Sequence, residues 1–416
     1  MSVTPDRFAA RGLGSLILCA LFSTTLAADP PSFVQDGKAG FVVAHIEYAL
    51  SQDAKDTGVC PDGMTKGVNP APSGYGGPAS GAAGQASTGA SPGGQRPAGA
   101  AADDAQRRFF ESISDPNRPN ACANPEAFGP DPNFRTVKLP GAKAYGIDMD
   151  GVDARATGKP APGSCAHDDL VGMNGERGID NQFFRVVGCS NSYQSTGLSN
   201  AWATEMLTGA WGILITLSGV DDIRNDDSVE VGFFANADPI ELSPNREPLP
   251  NATYAIEQDP RFRAKTRGRI VNGVLTTDPV NVRFHKITNG IYLERPLEDA
   301  RVKMTLGADG VLEGYLAGYT PVDEMYDLQY AYRNGKNGKG EPADRRLINI
   351  SSMGQAFVLG HTCNGAYHAL HELADAHPDP KTGRCTAIST QYRIKAIPAF
   401  VVDVKTESVN EDLERK

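Results

Sequence analysis

The stretch WGILITLSG (211–219) decides the reading of the fold, because its aliphatic and β-branched composition is that of a buried strand. Five further runs of similar or alternating character follow it: SVEVGFFA (228–235), RGRIVNGVLTT (267–277), VNVRFHK (280–286), ARVKMTLG (300–307) and GVLEGYLAGY (310–319). Asn272-Gly273 is a strong two-residue hairpin signal, and Ala308-Asp309-Gly310 is a second, three-residue one. Short strands joined by such turns favour an antiparallel sandwich or barrel over a parallel sheet. The β-domain is therefore expected over 205–325. The fold class is mainly β with α+β additions.

Working outward towards the C-terminus, 326–405 reads as a helical segment followed by a final strand. Tyr326 to Tyr332 opens it with a short helix, and 334–342 is a basic loop. From Thr362 to Ala376 the apolar positions Cys363, Ala366, Tyr367, Leu370, Leu373 and Ala374 share one helical face, and Pro378 and Pro380 close the helix. The run IKAIPAFVVDV (394–404) is expected to return to the sheet with Pro398 at an edge position. The charged tail 406–416 is expected to fray.

Towards the N-terminus, 106–204 is loop-rich and full of Asp, Asn, Gly and Pro. Residues 70–105 are nearly all Gly, Ala, Ser and Pro, so they cannot bury enough apolar surface to offset their ordering entropy and read as disordered. In the segment 28–69, FVQDGKAGFVVAHIEYAL (33–50) suits either a strand or a helix. Residues 1–27 have the order of a secretory signal: Arg7 and Arg11, then the apolar LGSLILCALF (13–22), then small residues before a cleavage point after Ala27.

Across all 416 residues there are 40 basic and 50 acidic groups, a formal charge of −10. That balance argues against nucleic acid as a partner. Gly and Pro make up about 18% of the chain against roughly 12% in an average protein, which excludes a mostly helical bundle. No run approaches the roughly 20 apolar residues of a membrane span. Beyond the signal lie six cysteines, Cys60, Cys122, Cys165, Cys189, Cys363 and Cys385, and an even count in an exported chain points to disulfides. Their spacings form three local clusters, which predicts the sequential pairing 60–122, 165–189 and 363–385. The layout, a disulfide-framed acidic region ahead of a β-domain, is similar to that of secreted bacterial proteins. A periplasmic or extracellular location is expected.

The candidate chemistry begins at Asp148-Met149-Asp150-Gly151-Val152-Asp153. Carboxylates alternating around a glycine turn are how short loops wrap calcium, a hard ion that takes six to eight oxygens. The run resembles pieces of the EF-hand and thrombospondin type-3 loops. It departs from the EF-hand, since aligning Gly151 with the invariant glycine puts Gly146 and Thr157 at the first and twelfth positions. Asp168, Asp169, Asp180 and Asn181 supply further oxygens between Cys165 and Cys189. The expected calcium ligands are Asp148, Asp150, Asp153, Asp168, Asp169 and Asp180, with a polar turn region as the alternative.

Two other groups read as solvated. Asp221, Asp222, Asp226 and Asp227 sit in a strand connection. His361, His368, His371, Glu372, Asp375 and His377 fall within seventeen residues, but the zincin and inverzincin orders are absent. At 100° per residue His368, His371, Glu372 and Asp375 lie opposite the apolar face of the helix, on its wet side. Trp202 and Trp211 are a candidate sugar platform, although Trp211 reads better as core. No nucleophile elbow, P-loop or dinucleotide fingerprint occurs, and no Cys-x-x-Cys pair, so neither a nucleotide nor haem is expected as a cofactor. The expected function is a non-enzymatic protein that binds a carbohydrate, surface polymer or protein. The rival is a hydrolase of a glycan or ester with Asp and His acid–base groups.

Overall fold

The computed structural model describes residues 33–51, 58–65, 121–190, 211–288, 291–329 and 362–404, with 193, 206 and 207. The signal segment, the 70–105 and 334–342 loops, His361, Trp202 and the tail lie outside the described residues.

In chain order the strands are β1 (Lys38–Tyr48), β2 (Lys143–Ala144), β3 (Val171–Gly172), β4 (Ile213–Ser218), β5 (Asn225–Ala235), β6 (Thr253–Ala255) and β7 (Arg263–Val271). They continue with β8 (Val274–Thr277), β9 (Val280–Thr288), β10 (Ile291–Leu306), β11 (Leu312–Pro321), β12 (Ala376–Pro378), β13 (Cys385–Pro398) and β14 (Phe400–Val402). Among the described residues four α-helices accompany them: α1 (Ala154–Thr157), α2 (Gln182–Val187), α3 (Val322–Gln329) and α4 (Cys363–Glu372).

The main sheet is antiparallel and closes on itself. Its hydrogen-bonded order is β1-β4-β5-β7-β8-β10-β11-β13, and β13 pairs with β1 to complete the ring. The architecture is a barrel. All six strand runs read from the sequence are strands, and the ambiguous N-terminal run is β1. Asn272 and Gly273 both have positive φ, 52° and 79°, as a type I′ hairpin between β7 and β8 requires. β1 and β13 come from outside 205–325 and complete the ring between β4 and β11. β13 is therefore an interior strand of the sheet, and Pro398 stands at its last position, opposite Phe41.

Side-chain alternation along β11 and β13 separates two layers. Leu316, Ile388, Tyr392 and Ile394 join the main core together with Phe41, Leu214, Phe233 and Met304. Ala317, Tyr319 and Ala387 face the other way and pack with Ile147, Met149 and Ala376 in a separate small cluster. Within 121–190 a loop layer thus places Ile147 and Met149 over the outer face of β11 and β13, while Leu170, Ile179, Phe183 and Phe184 of the same segment join the main core.

Gln391 fixes that layer. Its Oε1 accepts from Ile147 N at 2.7 Å, and its Nε2 donates to Ile147 O at 2.7 Å and to Asp180 O. The approach is so close that a side chain on Gly146, with φ 150°, would stand 2.8 Å from the Gln391 oxygen.

The disulfides overturn the sequential pairing. The bonds are Cys60–Cys189, Cys122–Cys363 and Cys165–Cys385, with Cα separations of 5.7, 4.8 and 6.1 Å. Local spacing misled because the loop layer folds back onto distant elements: Cys122 meets α4, and Cys165 meets the start of β13. Each bridge spans at least 129 residues and ties 121–190 to another part of the chain, Cys60 on its N-terminal side or Cys363 and Cys385 on its C-terminal side. Three disulfides are compatible with export. No described helix is long and apolar enough to cross a membrane.

Candidate functional site

The six expected calcium ligands separate into two groups. Asp148 closes the turn at Gly151, whose N–H donates to its Oδ1 at 2.6 Å. Asp153 caps α1 by accepting from Ala156 N, and it pairs with Arg177 at 2.6 Å. Asp168 is exposed, and its main-chain oxygen accepts from Gln182 and Arg185. Asp150, Asp169 and Asp180 converge instead, on a residue absent from the expected set, His167.

The His167 side chain is 6% exposed, and those of Asp169 and Asp180 are 0% and 1%, so the interactions between them are barely screened. His167 Nδ1 lies 2.7 Å from the Cys165 carbonyl, an acceptor only, so Nδ1 carries a proton and Nε2 faces the carboxylates. Nε2 is 2.9 Å from Asp169 Oδ1 and 3.4 Å from Asp180 Oδ1. The Asp169 contact is out of line for a hydrogen bond, which leaves that buried oxygen without a donor. One ligand atom from each of Asp150, His167 and Asp180 lies within 4.8 Å of the others.

Backbone donors position the carboxylates. Asp180 Oδ2 accepts from Met149 N at 2.6 Å and from Asp150 N at 3.3 Å. Asp169 Oδ2 accepts from Ala154 N at 2.6 Å, at the start of α1. Asp375, expected on the wet side of a helix, is buried, because α4 ends at Glu372 and the chain turns inward to β12. Its Oδ1 accepts from Ser389 N at 2.7 Å, and its Oδ2 has no hydrogen-bond partner.

Several carboxylates around one imidazole cannot all ionise without cost. Burial pushes Asp180 up to about 6 and Asp375 up to about 7. Burial alone would depress His167, yet the adjoining Asp169 and Asp180 and the field of Asp375 outweigh it and hold the imidazole at about 11. Burial, with the nearby carboxylates, also raises the Tyr319 phenol.

In front of this cluster lies an open cleft of about 720 Å³, within the usual size range of ligand pockets. Asp150, Ser164, Arg301, Tyr319, His377 and Thr386 line it, so Asp150 belongs both to the cleft and to the cluster behind it. Arg301 braces the wall by donating to the Met149 carbonyl. His377 adopts a positive φ of 57° and places Nε2 3.3 Å from Asp299, its ring edge-on to Tyr319.

The other residues singled out in the sequence serve as structure. His368 and His371 each contact a main-chain carbonyl, those of Phe128 and Tyr367. Asp222 and Asp226 accept from backbone N–H groups in the β4–β5 connection. Trp211 is buried in the main core. His167 was legible only as the nitrogen donor of Cys165-Ala-His-Asp-Asp, a lone imidazole inside the acidic segment.

No family model matches the chain, and neither does any curated protein or solved structure.

Proposed function

We propose that the protein is an exported binding protein that seats a hydroxyl-rich ligand of carbohydrate class in the cleft. The observation that carries this reading is the cleft lining, which mixes donors and acceptors around one aromatic ring. Asp150, Ser164, Arg301, His377 and Thr386 are partly or fully exposed and carry both donors and acceptors, and the buried Tyr319 packs beneath them edge-on to the His377 ring. Vicinal hydroxyls both give and take hydrogen bonds, so they match such a wall better than an apolar or purely anionic ligand does. A glycan array followed by calorimetry on the mature protein tests it. A bound glycan whose affinity falls at least tenfold in His377→Ala supports the cleft. Binding unaffected by His377→Ala, or no binding to any glycan, counts against it.

A hydrolase is the second reading, favoured by the buried His167–Asp180 pair directly behind Asp150. Perturbed acid–base groups beside a cleft are a common mark of catalysis. Release of reducing ends from a bound glycan, lost in Asp150→Asn, would support this reading over simple binding.

A further inference from the structure

We propose that Asp150, His167 and Asp180, with Asp169 beside them, form a site for one divalent transition-metal ion of the zinc class at the back of the cleft. This inference stands apart from the identity of any ligand in the cleft.

Two ligands bound at about 2.1 Å to one tetrahedral ion stand about 3.4 Å apart. His167 Nε2 and Asp180 Oδ1 are 3.4 Å apart, and the Asp150 donor lies within 4.8 Å of both. The half-buried Asp150 reaches the centre from the cleft side, its Oδ1 also accepting from Val152 N at 2.8 Å and its Oδ2 from Ser164 Oγ at 3.4 Å.

A metal-bound imidazole usually donates its other ring N–H to a carbonyl or carboxylate, which fixes the ring and aims the coordinating nitrogen. His167 Nδ1 does this with the Cys165 carbonyl, and the Cys165–Cys385 bridge ties that carbonyl to β13, so the metal would take the place on Nε2 of the proton that the carboxylates hold there. Asp180 is likewise held by the Met149 and Asp150 N–H groups through Oδ2, which leaves Oδ1 directed at the shared centre.

Asp169 is fully buried, and its Oδ1 pairs with Nε2 at 2.9 Å but out of hydrogen-bond alignment. A buried carboxylate oxygen that accepts no hydrogen bond is costly. A cation placed between Oδ1 and Nε2 satisfies both atoms, and the surplus of carboxylates over cations in the cluster favours it.

The donor set selects the ion. Calcium takes oxygen ligands, whereas imidazole nitrogen suits zinc, copper, iron and nickel. Of the six calcium candidates only three face this centre, and the centre includes a nitrogen. Because Asp150 also lines the cleft, the ion has one side open to solvent or ligand, as non-structural zinc sites do.

The test is an equilibrium titration of the chelator-treated mature protein with zinc against a fluorescent competitor, repeated with calcium. The expected result is one zinc per chain, with calcium failing to displace it at millimolar concentration. His167→Gln should weaken zinc by more than about 100-fold, beyond the 10–100-fold typical of residues that only support a ligand. If that variant does not fold, Asp150→Asn carries the test, with unchanged circular dichroism and the same direction of effect. Cobalt substitution gives a separate readout, a visible band from a low-coordinate nitrogen and oxygen site. The proposal is overturned if zinc does not bind, if a folded variant binds it as tightly as the wild type, or if calcium competes equally.

Discussion

Removing the Cys165–Cys385 bridge by the double substitution Cys165→Ser/Cys385→Ser should cost about 4 kcal/mol of stability. The bridge spans 220 residues, but the relevant loop is shorter while Cys122–Cys363 remains closed. The path from Cys165 back to Cys122, across to Cys363 and on to Cys385 encloses about 65 residues. Chain entropy rises only with the logarithm of loop length, so a 65-residue loop falls between the values of about 3 kcal/mol for 15 residues and about 4.7 for 100. Guanidinium melts of the wild type and the double variant, with equal slopes, give the difference directly. Non-reducing peptide mapping must first find the 165 and 385 peptides joined. A loss below about 1 kcal/mol, or Cys165 joined to Cys189, would refute both the pairing and the loop argument. The same variant frees the carbonyl that orients His167, so zinc affinity should fall with stability.

Other outcomes follow from the same contacts. In the presence of chelator, stability should fall as pH rises from about 4 to 7. Asp180 and Asp375 hold protons in the folded state up to about 6 and 7 and ionise near 3.8 when unfolded. It should fall again from about 6.5 to 11 as His167 loses the proton that its carboxylates stabilise. Midpoints of thermal melts that rise across both windows would contradict this sign. Gln391→Ala removes three buried hydrogen bonds that hold residues 147 and 180, and should cost about 2–4 kcal/mol in a denaturant melt. A cost under 0.5 kcal/mol would show that the loop layer is held elsewhere. Gly273→Val places a β-branched residue at φ 79° and should cost about 1–3 kcal/mol, while Asn272→Gly should be nearly neutral. Equal effects of the two would argue against the type I′ turn.

The barrel was legible because its strands carry their own signals. WGILITLSG, the Asn272-Gly273 turn and the 3.6-residue periodicity of α4 are properties of adjacent residues. Barrel closure was not, since β1 and β13 meet from opposite ends of the chain and no local pattern records the encounter. The disulfides failed for the same reason: spacing along the chain says little about a loop layer that packs back onto distant strands. Asp375 was misplaced because helical periodicity was extended three residues beyond Glu372, and in the strand-like geometry that follows the side chain points inward. At the site, the acidic loop announced Asp150, Asp169 and Asp180 but gave equal weight to Asp148, Asp153 and Asp168. Only the structure separates carboxylates that cap turns and helices from those that converge. His167 carries the one nitrogen on which the proposal of zinc over calcium rests, and a single histidine among many carboxylates makes no sequence motif.

The most direct test of the metal centre is diffraction from crystals of the mature protein grown with equimolar zinc, with data collected on both sides of the zinc absorption edge. The proposed site requires one strong anomalous peak per chain, about 2.0–2.2 Å from His167 Nε2 and from carboxylate oxygens of Asp180 and Asp150, with the Cys165 carbonyl still on Nδ1. No peak at that position, or a peak held by Asp148 and Asp153 away from His167, would contradict it.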